Sequence, residues 1–536
     1  MLNTDKTSCL TIASLLAQAG VKRAILCSGS RSVPLALALY RHPEIDCRVV
    51  IDERCAAFMA LGMAVHTGSP VAVVCTSGTA VLNMAPALAE ALYRQAPVIA
   101  ISADRPLEWI DQDDSQTIRQ YLALNNIVKA SFDLPVERGT KVDDWYINRT
   151  VNDAIIAAVT GPKGSVHLNV QIDVPLSRQA ENKPFNSRLV TAVMPEGTLS
   201  EAAIRSLRQK LEPKRKVMIV AGFMAPDSKV DAALEDIAQS GAAIVMREAQ
   251  ANVHIHSSSI ANIDSVLAKF GGDMPQAFSP DLVVTVGGSL VSRYIKRWLR
   301  NADIQHWHVG RQPRCVDPFM ALDCRIDMDA GRFLPVFASM LKSQNGDERR
   351  GYYRIWSELN REALQFDSRF AITAPWSDYT AMRVMMEKMP ADCNLHLSNG
   401  TAVRYAQLFD YRHIARIDCN RGVSGIDGCT STALGAAIAD PAHPTVLVTG
   451  DMSAQYDLGA LACAGIPANF KMAVLNNQGG GIFRFIESTS ELPEREELFC
   501  ADVRLPLPHL AKAFGFNYYE ANAEKALREV LSLIHI

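Results

Sequence analysis

Residues 446–483 read VLVTGDMSAQYDLGALACAGIPANFKMAVLNNQGGGIF. An apolar run at 446–449 breaks at Gly450-Asp451, and a helical pattern follows over 457–463. A second apolar run at 472–475 ends on Asn476-Asn477, with glycines at 479, 480 and 481. This pattern predicts a β–α–β unit with a right-handed crossover. In such a unit the carboxyl ends of the two strands lie side by side, which puts Asp451 and Asn477 at the edge where parallel sheets bind ligands. A carboxylate and an amide oxygen are hard donors suited to Mg²⁺, which takes few protein ligands and fills the rest from phosphate and water. The glycine-rich turn lets the backbone approach a diphosphate closely. The physical reading is a metal–diphosphate site.

The same spacing, Gly-Asp followed by Asn-Asn, resembles the signature of the thiamine-diphosphate enzymes. The resemblance implies that Asp451, Asn477 and the carbonyl of Gly479 hold Mg²⁺ or Mn²⁺.

A chain of 536 residues has room for about three ordinary domains. Its 48% apolar and 21% charged content is that of a globular protein. A net charge of −3 argues against nucleic acid or an anionic membrane as a bulk partner. The first twenty residues read as a capped helix rather than a signal peptide, and no apolar run reaches the length of a membrane span. The richest stretch, 70–92, is interrupted by Thr76, Ser77, Gly78, Asn83 and Pro86. The 12 cysteines are scattered without a C-x-x-C pair, as expected of reduced, mostly buried thiols in a cytoplasmic enzyme.

The first third alternates strand-like runs at 24–27, 48–51, 71–75, 98–102 and 166–170 with helical patterns at 55–65 and 80–94. Together they predict a doubly wound α/β domain over 1–180. Thr76-Ser77-Gly78-Thr79 makes a turn between strand and helix with free backbone amides for an anion or the polar edge of a ligand. Glu53 closes a strand at 49–52 ahead of a helix of small residues, where its carboxylate would be partly desolvated. Residues 178–200 read as a linker. A central α/β domain follows over 200–345, with strands at 217–221, 243–246, 282–286 and 307–309. Its Ala221-Gly222-Phe223 turn lacks G-x-G-x-x-G, so the domain is read as a scaffold without a bound nucleotide. Gly287-Gly288-Ser289, with Arg293 and Lys296 behind it, is placed to lend a cation to a neighbouring site. A charged join at 343–351 and a helical stretch lead to the last α/β domain, 375–536. There Asn420 to Gly428 forms a glycine-rich loop opening a small-residue helix at 430–439.

Several segments carry a closer resemblance: Gly29-Ser30-Arg31-Ser32, Asp52-Glu53-Arg54, Thr76 to Ala80, Ala103-Asp104-Arg105-Pro106, Asn420 to Gly428 and Gln478 to Phe483. In this order the chain resembles the 2-succinyl-5-enolpyruvyl-6-hydroxy-3-cyclohexene-1-carboxylate synthases of menaquinone biosynthesis over nearly its whole length. The resemblance is weakest in the middle. It implies three parallel-sheet domains, binding pyrimidine (1–180), acting as scaffold (200–345) and binding diphosphate and metal (375–536). The implied reaction decarboxylates 2-oxoglutarate with thiamine diphosphate and adds the succinic-semialdehyde carbanion to isochorismate. Glu53 would face the aminopyrimidine and drive its imino tautomer. Thr76, Ser77, Gly78, Asn399, Gly400, Ser424, Ile426, Gly450, Asp451, Met452, Ser453, Asn477, Gly479, Ile482 and Phe483 would contact the cofactor. Arg404 and Arg421 would hold 2-oxoglutarate; Ser30, Arg31, Arg105, Ser115, Gln116 and Arg293 would hold isochorismate. Arginine suits two dicarboxylic substrates because its fork binds both carboxylate oxygens. The glutamate and the metal would meet from two chains, which implies a homodimer or homotetramer. Another thiamine-dependent decarboxylase or carboligase, and a catalytically silent homologue, stand as alternatives.

The chain departs from the family at three positions. Gly400 replaces a usual serine, Arg293 a usual lysine and Ser28 a common proline. The ending Leu531-Ser-Leu-Ile-His-Ile536 matches what a sequencing adaptor would encode, so the native chain is expected to continue.

Overall fold

The computed structural model describes residues 2–534 apart from 176–178, 182–184, 186, 195–196, 272–273 and 464. Contacts divide the chain into two units, 1–194 with 420–474 and 195–419 with 475–536. Part of the 178–200 linker, and the last two residues of the terminal hexapeptide, lie outside the described residues. The described part of that linker contains a strand, Gln179–Glu181, paired antiparallel with Leu2–Thr4.

The first unit opens with six strands: β1 (Arg23–Leu26), β2 (Asp46–Val49), β3 (Val71–Cys75), β4 (Val98–Asp104), β5 (Ala130–Leu134) and β6 (Val166–Gln171). They run parallel in the order β2-β1-β3-β4-β6-β5. β3 and β4 are buried along their whole length, so they read as unbroken apolar runs. The order reverses between β1 and β3. The loops leaving these two strands are Gly29-Ser30-Arg31-Ser32 and Thr76-Ser77-Gly78-Thr79, at the position where such sheets bind ligands.

β2 ends at Val49, so Glu53 opens helix α1 (Glu53–Thr67) instead of closing a strand. Asp52 caps this helix by accepting from the amides of Arg54 and Cys55. The single helix expected at 80–94 is two, Ala80–Asn83 and α2 (Ala85–Tyr93). Pro86 enforces the restart, because it lacks an N–H and its ring collides with the carbonyl four residues back.

In the second unit, β7 (Val217–Ala221), β8 (Ile244–Arg247), β9 (Leu282–Val286), β10 (Gln305–Val309) and β11 (Leu322–Ile326) form a parallel sheet of order β8-β7-β9-β10-β11. The crevice at its own reversal, between β7 and β9, is filled. A Cβ on Gly222 would lie 2.0 Å from the Gly288 carbonyl oxygen, and one on Gly288 would lie 2.2 Å from the Phe223 ring. The two loops therefore meet backbone to backbone at this point. Helix α3 (Arg293–Asn301) follows β9. The charged join expected at 343–351 is mostly the start of α4 (Asp347–Thr373), with only 344–346 outside helices.

Still in this unit, β12 (Asn394–Leu397) and β13 (Arg416–Cys419) pair in parallel, with α5 (Thr401–Ala406) between them. The central sheet is stitched to this segment by polar contacts. The Asn252 side chain accepts from the Ile417 amide at 2.7 Å and donates to its carbonyl at 3.0 Å. Gln407 accepts from the Ala249 amide and donates to Gln250. Tyr411 donates to the Arg247 carbonyl, and the Arg247 guanidinium lies 4.7 Å from its ring centroid.

The first unit resumes with α6 (Cys429–Ala439), β14 (Thr445–Gly450), α7 (Asp451–Tyr456) and β15 (Phe470–Leu475), with β14 and β15 neighbours in a sheet. The helix after β14 starts at once on Asp451, and 458–462 is only a 3₁₀ turn, where the sequence pattern pointed to 457–463. A carboxylate at the first helical position is favoured by the helix dipole, which outweighs the weak apolar pattern downstream.

Helices α1 and α6 interlock through reciprocal glycines. A Cβ on Gly62 would meet the Thr432 carbonyl oxygen at 2.0 Å, and one on Gly435 would meet that of Met59 at 2.1 Å. Gly428, in the left-handed region at φ +70°, leaves room for the Phe58 ring. The small-residue runs noted in both helices are therefore the condition for this close crossing.

Candidate active site

The first unit carries Glu53 at the head of α1, half-buried, with Oε2 accepting from Asn83 Nδ2 at 3.0 Å. The turn after β3 differs from expectation. The Gly78 amide is taken, donating to Gln120 Oε1 at 2.7 Å, and the Ser77 hydroxyl donates to the Gln116 carbonyl at 2.9 Å. Gly78 sits at φ +84°, and a Cβ there would collide with the Gln116 side chain at 2.6 Å. The turn thus receives the 115–120 loop, bringing Ser77, Gly78 and Gln116 together. Thr76 is buried, its side chain filling the space that a Cβ on Gly29 would need.

Gln120 is fully buried and also donates to the Ala103 carbonyl and to Asn169 Oδ1. Asn169 donates in turn to Asp104 and to Asp133, and accepts from Ser102. Burial, chiefly, pushes the Asp104 carboxyl up to about 6.

Above this network stand two guanidiniums. Arg31 is buried and donates to the carbonyls of Ile172 and Asp173. Arg105 follows β4 and pairs with Asp114 at 2.5 Å. Burial holds the Arg31 pKa below its usual value, and the neighbouring positive charge of Arg105 lowers it further. Two cations within electrostatic reach of each other at strand ends make a setting for a dianion. Ser30 is exposed beside Arg31, and Ser115 is exposed at φ +58°.

The glycine-rich loop at 420–428 is anchored by a residue the sequence did not single out. Glu90 on α2 is buried and accepts from the amides of Gly422 and Val423 at 2.7 and 2.6 Å. Burial pushes its carboxyl upward, against the pull of Arg94, these two amides and the buried Arg421. Ser424 takes a left-handed φ of +65°. Ile426 is half-buried and its carbonyl accepts from the Ser453 hydroxyl at 2.6 Å. Asp451 is buried, its Oδ1 accepting from the Met452 amide at 2.7 Å. Gly450, which ends β14, has open space where a Cβ would stand.

In the second unit, Asn399 is buried and Gly400 holds φ +105°, with nothing within 4 Å of an added Cβ. A serine there would be strained by the backbone rather than crowded. Arg404 donates to the Gly400 carbonyl at 2.5 Å and lies near the half-buried Asp264. Arg293 stands exposed in the first turn of α3. Asn477 donates from Nδ2 to Asp378 at 2.8 Å, while its Oδ1 is buried with no hydrogen-bond partner. Gly479 sits at φ +153° where a Cβ would meet the Cys500 carbonyl oxygen at 2.5 Å. Phe483 packs against Phe499 with centroids 5.9 Å apart, and Ile482 beside it is half-buried.

An orphaned buried amide oxygen, turned away from the nitrogen that Asp378 holds, is what a hard cation's ligand looks like. Asn83, Glu90, Gln120, Asn169 and Asp378 escaped sequence reasoning because each acts across long stretches of chain. Asp104 alone carried a signal, inside the quoted Ala-Asp-Arg-Pro segment.

The family described as thiamine pyrophosphate enzyme, N-terminal TPP binding domain, matches residues 10–124, and its C-terminal TPP binding domain matches residues 400–534. A 2-succinyl-5-enolpyruvyl-6-hydroxy-3-cyclohexene-1-carboxylate synthase from Porphyromonas gingivalis is 38% identical over 98% of this chain and 92% of its own length. Enzymes of the same name from Flavobacterium psychrophilum and Bacteroides fragilis are 36% and 35% identical, over 96% and 98% of this chain and 91% and 93% of theirs.

Proposed function

The chain belongs to the 2-succinyl-5-enolpyruvyl-6-hydroxy-3-cyclohexene-1-carboxylate synthases among the thiamine pyrophosphate enzymes, and on that premise we propose that it decarboxylates 2-oxoglutarate and joins the remaining four-carbon fragment to isochorismate in menaquinone biosynthesis. The observation that carries this reading is the pair of guanidiniums, Arg31 and Arg105, at the carboxyl ends of β1 and β4. A dicarboxylate such as isochorismate needs two cations; a monoacid such as pyruvate does not.

Bound thiamine diphosphate supplies the electron sink for decarboxylation. The chain supplies the rest. Glu53, oriented by Asn83, would face the aminopyrimidine and hold or give up a proton at its carboxylate. Asp451, Asn477 and the Gly479 carbonyl would hold Mg²⁺ or Mn²⁺ as hard oxygen donors, and the partnerless Asn477 Oδ1 supports that donor set. Arg404 and Arg421 take the 2-oxoglutarate carboxylates. Arg31, Arg105, Ser30, Ser115 and Gln116 take isochorismate, with Arg293 as a further cation. The working form is a cytoplasmic homodimer or homotetramer in which Glu53 and the metal ligands of one site come from two chains. An active monomer in sedimentation would refute that.

The test follows CO₂ release and isochorismate loss together, with and without thiamine diphosphate and Mg²⁺. The expected result is stoichiometric loss of both substrates only when all components are present. Turnover of pyruvate without isochorismate would favour another carboligase. Cofactor binding without any turnover would indicate a silent homologue.

A further inference from the structure

Arg105 does not wait for its ligand empty-handed. Its Nη1 is held by Asp114 at 2.5 Å, and its Nε is buried with no hydrogen-bond partner. Asp114 therefore satisfies the guanidinium incompletely, whereas a carboxylate placed squarely on the fork uses two donors. Asp114 rides on the irregular stretch between two 3₁₀ turns, Leu107–Trp109 and Asn125–Ile127, in the connection from β4 to β5. Both its neighbours, Asp113 at φ +53° and Ser115 at φ +58°, sit in the left-handed region, as do Asp111 and Leu122. None of these is glycine, so each bears a backbone cost. The loop spends conformational energy to turn this carboxylate onto Arg105, and its side chain remains 37% exposed. A second pair on the same loop, Arg119 with Asp111 at 2.6 Å, is largely solvent-exposed and holds it only weakly. Ser115 and Gln116, which the proposed function assigns to the second substrate, directly follow Asp114.

We propose that Asp114 is a resident carboxylate that occupies the Arg105 guanidinium until a substrate carboxylate displaces it, so that the 111–122 loop exchanges one anion for another as the second substrate binds. The inference rests on the assignment of Arg105 to isochorismate made above. Displacement frees Asp114 to solvent, lets the incoming carboxylate reach the unpartnered Nε, and moves Ser115 and Gln116 together with it. Asp114 then acts as a specificity-determining residue, since a ligand with no carboxylate to offer cannot take its place.

The experiment measures steady-state kinetics of the holoenzyme with each substrate varied in turn, for wild type, Asp114→Asn, Asp114→Ala and Arg105→Gln. A partly exposed ion pair of this kind corresponds to a change of about 1.5- to 5-fold. KM for isochorismate should fall by that factor in both Asp114 variants, with kcat and the KM for 2-oxoglutarate unchanged. Arg105→Gln should raise KM for isochorismate. An unchanged or raised KM for isochorismate in the Asp114 variants, while Arg105→Gln still raises it, overturns the exchange and leaves the role of Arg105 standing. No effect of Arg105→Gln overturns both.

Discussion

Replacing Gly435 by alanine tests the crossing that carries Glu53. In an open helix the change gains about 1 kcal/mol. Here the new methyl would lie 2.1 Å from the Met59 carbonyl oxygen, and real Cβ atoms essentially never come within 3.0 Å, so α1 and α6 must part by 3.0 − 2.1 = 0.9 Å. Neither partner can yield as a side chain would, because the obstacle is backbone. Parting also opens the reciprocal contact of Gly62 with Thr432. Overpacking costs up to about 3 kcal/mol, which leaves a net loss of about 2 kcal/mol and a melting point lower by about 4–8 °C in a unit of this size. Gly351, inside α4 with nothing within 4 Å of an added Cβ, is the matched control, and Gly351→Ala should stabilise. Thermal unfolding followed by circular dichroism reads both. Because α1 begins with Glu53, kcat should fall in the Gly435 variant too. A Gly435→Ala protein as stable as wild type would refute the interlock.

Glu53→Gln should lower kcat by about 100- to 10,000-fold while coenzyme binding and melting stay near wild type; retained turnover would remove Glu53 as the proton carrier. Asn477→Ala should weaken the Mg²⁺ dependence of coenzyme binding by at least about tenfold, read as the Mg²⁺ midpoint of coenzyme-induced quenching of tryptophan fluorescence, and an unmoved midpoint would exclude it as a ligand. Asp457, fully buried beneath Ser431 and Cys55, has its carboxyl pushed up to about 6, mainly by burial, from an ordinary 3.8. Between about pH 4 and 6 the folded state holds a proton that the unfolded state has released, so its stability contribution is lost as pH rises through that window. Asp457→Asn removes this dependence and should gain on wild type by up to about 3 kcal/mol from pH 4 to 7; parallel pH–stability curves would contradict it.

What sequence reveals here follows burial. β3, β7 and β9 match the predicted spans residue for residue, because central parallel strands are apolar on both faces and stop at glycine or polar loops. β5, β11, β12 and β13 passed unnoticed. β5 and β11 are edge strands, half-covered, with polar residues among few apolar ones; β12 and β13 are buried, but each is only four residues long and alternates polar with apolar residues. The site divides in the same way. Loops at strand ends announce themselves through glycine and arginine, as with Gly29 to Arg31 and Asn420 to Gly428. Their supports do not: Gln120 lies 42 residues from the amide it receives, and Glu90 lies 332 from the loop it anchors. The free amide inferred at Gly78 failed for this reason, since its acceptor, Gln120, comes from a distant loop that no local pattern describes.

The sealed crevice between β7 and β9 alters what the central sheet contributes mechanically. A doubly wound module normally opens and closes around its ligand, and that breathing is a source of compliance. The Gly288 carbonyl and the Phe223 ring close on the gap, and Asn252, Gln407 and Tyr411 pin the module to the following segment; these contacts oppose such breathing. The module acts as a keel: ballast that stiffens the chain carrying Asn399 and Arg404.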